Sequence, residues 1–263
     1  MRPLPNGKNC VLMFDISLTS SLLLPLVSAV AGFIDTLAGG GGLLTVPALL
    51  LAGLPPINAL ATNKVQGSMG TLTATLVLMR KGVLKPIEIR NPLLLSFFAA
   101  GCGTALIHFL PSQLLSYAIP FVLMLIAAYF LFVPAAGQVE SCPRLGLRLY
   151  QSAVIPIIAF YDGLIGPGTG SFFTLAGVTL RGQTLLQATV RAKAFNFMSN
   201  LASVAVFVFG GHVLWLTGLT MMVGQMLGAT LASHVMLRGG ARMIRPMIVV
   251  TSLAMLLRFW LTR

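Results

Sequence analysis

Apolar runs recur along most of this chain, at residues 18–34, 93–110, 114–133, 184–209, 213–237 and 246–261, and the basic residues gather mostly in short gaps between them. Each run is close to the ~20 residues a helix needs to cross ~30 Å of hydrocarbon. The pattern predicts an all-α, polytopic transmembrane protein forming one membrane domain over 1–263. Two further apolar stretches, 43–54 and 171–180, are shorter. At ~1.5 Å per residue neither spans a bilayer unaided.

These short stretches belong to an internal repeat, the first feature to look for in a chain. The segment Gly32-Phe33-Ile34-Asp35 leads into Gly39-Gly40-Gly41-Gly42. It is echoed by Ala159-Phe160-Tyr161-Asp162 leading into Gly166-Pro167-Gly168-Thr169-Gly170. A short apolar stretch follows each copy, then a polar patch: Thr62-Asn63-Lys64-Val65-Gln66 in the first half, Arg191-Ala192-Lys193-Ala194-Phe195-Asn196 in the second. Lys64 aligns with Lys193, and each copy ends in a long apolar run closed by a glycine, Gly82 or Gly211. We therefore divide the chain into repeat 1, 18–133, and repeat 2, 149–261.

Charge adds an orientation. The chain is 57% hydrophobic and only 8% charged, with a mean hydropathy of +0.93, against roughly 25–35% charged residues on a soluble surface. The net charge of +12 comes without an aromatic-interleaved basic patch, so nucleic acid is not an expected partner. Basic residues cluster at 80–90 (Arg80, Lys81, Lys85, Arg90), at 144–148 (Arg144, Arg148) and at 238–245 (Arg238, Arg242, Arg245). The positive-inside rule makes these three loops cytoplasmic. Re-entrant hairpins returning to their own side would put the first and last basic loops on opposite faces, so each short segment is taken to cross in continuation with its glycine turn, which gives five passes per half. That odd number inverts the second half and leaves both termini outside, an end placement that Arg2 and Lys8 oppose. The same two residues, with Ala29-Val30-Ala31 as a cleavage site, would suit a signal peptide. The mirrored motif just beyond, repeated where no cleavage is plausible, argues against one.

Inverted repeats with broken helices are a common plan for secondary transporters, whose site lies near the midplane. The glycines Gly39, Gly40, Gly41 and Gly42, and Gly166, Gly168 and Gly170, let the backbone unwind there. The short helix after each break turns its N-terminal amides back towards it, an environment suited to an anion. Glycine also serves plain close packing in membrane helices. An ionised side chain at the bilayer centre costs about 2.5–3.5 kcal/mol, yet Asp35, Lys64, Asp162 and Lys193 lie within or beside apolar stretches. Mutual neutralisation is one reason for their presence. The functional reason is that the lysines, with Asn63, Gln66, Asn196 and Asn200, line a polar cavity for a small anion, while the aspartates orient them or bind a coupling proton.

Other signals carry less. Gly166-x-Gly168-x-Gly170 lacks the Gly-Lys-Ser/Thr ending of a phosphate loop. Cys10, Cys102 and Cys142 have neither metal nor disulfide spacing and read as packing residues. His108, His212 and His234 read as isolated packing or interfacial residues, so no metal and no cofactor is implied. Gly224 and Gly228 suggest a close helix contact. Trp215, Trp260 and Tyr150 stand near span ends, where an aromatic belt is expected.

The string Ala31-Gly32-Phe33-Ile34-Asp35-Thr36-Leu37-Ala38-Gly39-Gly40-Gly41-Gly42-Leu43-Leu44-Thr45-Val46-Pro47, the string Asn58-Ala59-Leu60-Ala61-Thr62-Asn63-Lys64, and Phe160-Tyr161-Asp162-Gly163-Leu164-Ile165-Gly166-Pro167-Gly168-Thr169-Gly170 resemble the sulfite exporter TauE/SafE family of membrane permeases, in its YfcA-like branch. The resemblance runs nearly end to end. It implies a bacterial inner-membrane permease of about eight full spans whose relatives handle sulfur-containing oxyanions. Pro167 departs from the all-glycine first copy, which bears on whether both half-sites bind equally. Three functions stay open: a secondary transporter of a small, sulfur-containing or related anion, a passive anion channel, and a non-transporting scaffold. An enzyme fits least, because no nucleophile–base set and no metal-ligand set stands in the spans.

Overall fold

The computed structural model describes residues 18–111, 113–114, 121 and 142–239. The expected spans at 114–133 and 246–261 therefore fall essentially outside it, as do Arg2, Lys8, Cys10, Arg242, Arg245, Trp260 and both termini. Among the described residues the chain is all helical. Eight helices carry the fold: α1 (Leu18–Ala38), α2 (Gly42–Leu51), α3 (Pro56–Arg80), α4 (Arg90–Ile107), α5 (Ile155–Leu164), α6 (Thr169–Arg181), α7 (Leu185–Phe209) and α8 (Trp215–Gly239). A 3₁₀ turn, Pro86–Ile89, precedes α4, and a π-helical turn, Tyr150–Val154, runs into α5.

Local chemistry accounts for the boundaries. Pro56 opens α3 at a position where its missing N–H is not needed, and Gly82 follows the helix at φ +71°. At the start of α7 the Thr184 hydroxyl accepts from the Gln187 N–H at 3.2 Å, while the Gln187 side chain accepts from the Thr184 N–H at 3.1 Å. This reciprocal cap satisfies two donors at once.

Large apolar side chains face outward, while many polar ones are buried beside the apolar clusters. Leu227 is 66% exposed, Phe98 65% and Ile157 68%, while Ser28, Thr45, Gln66, Thr104, Asp162, Lys193 and Gln225 are buried. A surface of large apolar side chains around a polar interior suits a lipid surround. Several buried hydroxyls are satisfied within their own helices: Thr75 donates to Thr71 O at 2.7 Å, Thr189 to Leu185 O at 2.7 Å and Ser233 to Ala229 O at 2.7 Å. Among the described residues, length and composition alone single out one membrane-crossing helix, α7.

The two short helices turn back. Arg144 and Leu145 each donate their backbone N–H to Leu180 O at 3.0 Å, and the Arg181 guanidinium donates to Leu145 O at 2.7 Å. The segment entering α5 and the end of α6 thus share one end of the bundle. In the first half Leu24 of α1 packs with Leu49 of α2, Leu54, Ala59 of α3 and Met221 of α8, so α2 returns towards the start of α1. The expected passage of these segments across the bundle is corrected to two hairpins entering from opposite ends. The cause is the length of the helices: 10 and 13 residues span about 15 and 20 Å, enough to reach the middle and return.

The described parts of the basic loops meet at one end even so. Leu78, Leu84, Ile89, Leu185 and Met236 share one apolar cluster with Leu145 against it, which brings together the 80–90 loop, the 144–148 loop and the end of α8. At the opposite end the rings of His108 and His212 pack at a tilt of 44° with centroids 5.1 Å apart, and Asn58 donates to His212 O at 2.9 Å. These two histidines are thus partners rather than isolated. Burial, and then His108, hold His212 below the usual imidazole range.

Three smaller expectations change. Cys102 and Cys142 are exposed free thiols rather than packing residues. Tyr150 stands at a helix start but is buried in the core. Gly224 and Gly228 do mark a close crossing, with Pro25, Ala29 and Phe33 of α1.

Candidate functional site

The two glycine turns meet at the centre of the bundle. Gly39, at φ +80°, follows the last turn of α1, and Gly166 and Gly168, at φ +95° and +82°, separate α5 from α6. A Cβ on Gly39 would overlap the backbone of Gly170 and Ser171, and the Ser171 hydroxyl donates to Ala38 O at the end of α1. The α2 and α6 N-termini therefore start side by side, each with amides lacking a partner in its own helix.

Each turn carries its aspartate on the preceding helix, and each aspartate meets the lysine of the other half. Lys64 Nζ lies 2.8 Å from Asp162 Oδ1. Lys193 Nζ lies 3.4 Å from Asp35 Oδ2 and also donates to the Asp35 backbone carbonyl. Both lysines rank among the largest fully enclosed side chains of the protein. Asp162 Oδ2 accepts from the Ser199 hydroxyl at 2.5 Å. Asp35 Oδ1 accepts from the Gly41 N–H at 3.0 Å, at the start of α2.

Between these pairs lies a cavity of about 30 Å³, room for a water or two. Asp35, Gly39, Gly42, Asn63, Lys64 and Gln66 line it from the first half. Asp162, Gly166, Gly168, Asn196 and Asn200 line it from the second. Of the other residues expected here, Lys193, Gly40, Gly41 and Gly170 stand behind the wall. Lys193 and Gly41 brace Asp35, Gly170 packs on Gly39, and Gly40 O accepts the Leu43 N–H at 3.0 Å.

Gly67, Thr71, Thr169 and Gln225 complete the lining, and sequence reasoning passed over them. Gly67 and Thr71 follow Lys64 at helical spacing on one face of α3. Gln225 is a buried amide inside the apolar run 213–237, a signal in its own right. It joins a chain of polar contacts in which Ser28 Oγ donates to Gln66 Oε1 at 3.0 Å, and Gln66 Nε2 donates to Asn63 Oδ1 at 2.8 Å. Ser28 lies 3.4 Å from Gln225 Oε1. Among the described residues no cluster of three or more metal-ligating side chains occurs.

Comparison with known proteins now decides the family. The model of the family described as Sulfite exporter TauE/SafE matches residues 24–259. The chain belongs to the sulfite exporter TauE/SafE family. It is 44% identical over 241 residues to a "Probable membrane transporter protein" of Haemophilus influenzae, covering 92% of this chain and 94% of that one. It is 42% identical over 246 residues to "Probable membrane transporter protein ORF9" of Sinorhizobium sp, covering 94% of each. "Probable membrane transporter protein YfcA" of Escherichia coli K12 is 41% identical over 229 residues, with 87% of this chain and 85% of that one covered. No solved structure matches the chain. For a TauE/SafE protein the apolar exterior and the polar, charge-paired centre described above are the features to explain.

Proposed function

We propose that this protein is a secondary transporter that carries a small anion, of the sulfite or small sulfonate class, across the bacterial inner membrane through the central cavity. The observation that carries the reading is Lys64, an enclosed ammonium lining a polar cavity where two helix N-termini converge. The relatives' names and the family description point the same way.

The crossed pairing, Lys64 with Asp162 and Lys193 with Asp35, is what two inverted copies related by a two-fold axis would produce. We read the glycine turns as helix breaks and the two hairpins as the moving elements of alternating access. The end holding the 80–90 and 144–148 loops is cytoplasmic in this reading.

Purified protein in liposomes is expected to support saturable counterflow of labelled sulfite, lost in Lys64→Met. Unitary currents in planar bilayers would replace the carrier by a channel. A folded wild type without flux of sulfite or methanesulfonate would leave only the scaffold.

A further inference from the structure

The central charges sum to zero: Lys64 and Lys193 are matched by Asp35 and Asp162. An anion added to this cluster leaves a net negative charge enclosed in protein within a membrane, which is strongly unfavourable. Either a cation accompanies the anion or one aspartate takes up a proton. Resting on the transport reading above, we propose that binding of the anion at Lys64 is coupled to protonation of Asp162, whose place on the ammonium the anion takes.

The two aspartates differ in what surrounds them. Asp35 accepts from the Gly41 N–H and from the Lys193 ammonium, and neither donor can accept a proton in return. Protonated Asp35 would therefore lose a contact. Asp162 accepts instead from a hydroxyl, and Ser199 Oγ also lies 3.0 Å from Asn196 O. When Asp162 is charged, Ser199 donates to it. When Asp162 is protonated, Ser199 turns its hydrogen to the Asn196 carbonyl and accepts the Asp162 O–H. Both states are satisfied without moving a heavy atom.

The lysines differ too. Lys193 is sealed on Asp35, held by its carboxylate and its backbone carbonyl, behind the wall of the cavity. Lys64 lines the cavity, so it is the ammonium that can exchange a carboxylate for a solute oxyanion.

Among the described residues, the charged groups near Asp162 are Lys64 of α3 and, across the cavity, Asp35 of α1; Lys193 of α7 sits on Asp35, and Arg181 and Arg191 lie towards Tyr150 in the turn that runs into α5. The α4 helix meets α5 through Ala100, Gly103 and Thr104, and α6 begins with Thr169 and Ser171. Tyr161, on α5 itself, is committed to Pro167 O at 2.7 Å. The proton comes from solvent on the side the anion enters, the Asp162 carboxylate becomes a carboxylic acid, and the cluster returns to zero net charge. Transport of a monoanion is then electroneutral.

The test uses proteoliposomes with labelled sulfite and an alkaline interior. In the wild type a gradient of about one pH unit is expected to drive about tenfold accumulation of bisulfite, and an imposed membrane potential is expected to have no effect. Asp162→Asn, fixed in the neutral form, is expected to lose the accumulation at whatever exchange rate it supports, while Asp35→Asn keeps its response to the gradient whatever its rate. Infrared difference spectra of the folded wild type should gain a protonated-carboxyl band on sulfite addition. Accumulation undiminished in Asp162→Asn, flux driven by potential rather than by the pH gradient, or no such band would overturn the proposal. Absence of sulfite counterflow in the wild type would instead remove the transport reading, and this inference with it.

Discussion

At the residue scale the two lysines that align in the sequence are not equivalent in place. Lys64 touches the cavity and Lys193 does not. Removing one partner of a buried ion pair costs about 3–5 kcal/mol, because the survivor is left uncompensated. Lys64→Met is therefore expected to lower the thermal midpoint of the purified protein and abolish sulfite counterflow. Adding Asp162→Asn to it should restore much of the midpoint without restoring transport. A double variant no more stable than the single one would separate Lys64 from Asp162 energetically. Lys193→Met should weaken the fold in the same way, with a smaller loss of sulfite transport than Lys64→Met in whatever protein survives. The identity of the charged and amide groups was legible from the chain, since Asp35, Lys64 and Asn196 stand out against apolar neighbours. Their inequality was not, because it depends on which neighbour covers each ammonium. Gln225 escaped for a related reason: the glycines beside it, Gly224 and Gly228, offered a sufficient packing account of that stretch.

At the element scale the glycines fall into two kinds that the sequence does not distinguish. Gly39 combines a left-handed backbone with a contact too close for any Cβ, against Gly170 and Ser171. Gly53 has φ +89° and open space within 4 Å of where a Cβ would sit. Gly53→Ala should therefore cost only the backbone strain, about 1–2 kcal/mol, with transport kept. Gly39→Ala should add a steric collision at the meeting point of the two turns and eliminate counterflow. Equal effects of the two substitutions in thermal unfolding and flux assays would mean that the central contact does not matter. The shortness of α2 and α6 was legible from run length alone. Their direction was not. Hydropathy records how much of a segment is apolar and carries no sign along the membrane normal, so passage and return look alike until the Leu180 carbonyl is found capping Arg144 and Leu145.

At the scale of the whole molecule, the fold's two ends make opposite predictions for an impermeant reagent. Lys85 and Ile87 are exposed at the end that gathers the basic loops, and Phe109 and Phe209 are exposed at the other. Arg80, Lys81, Lys85, Arg90, Arg144 and Arg148 share the first end, and retention of such a charge cluster on the cytoplasmic side is what orients a multi-spanning chain. In a background with Cys10, Cys102 and Cys142 replaced, single cysteines at Phe109 or Phe209 should react with a charged maleimide in intact cells. Cysteines at Lys85 or Ile87 should react only after permeabilisation. The reverse pattern would invert the protein in the membrane, and labelling of all four in intact cells would place both ends on the same face. Because the hairpins return to their own ends, each contributes no net crossing, and the number of full spans between the basic loops fixes the orientation of the second half. Returning hairpins do not separate the basic loops, since α3 ends and α4 begins at the end where α5 begins and α8 finishes. Labelling at 85 and 109, the two ends of α4, therefore tests the orientation of the first half by itself, and labelling at 209, at the end of α7, tests whether the second half runs against it.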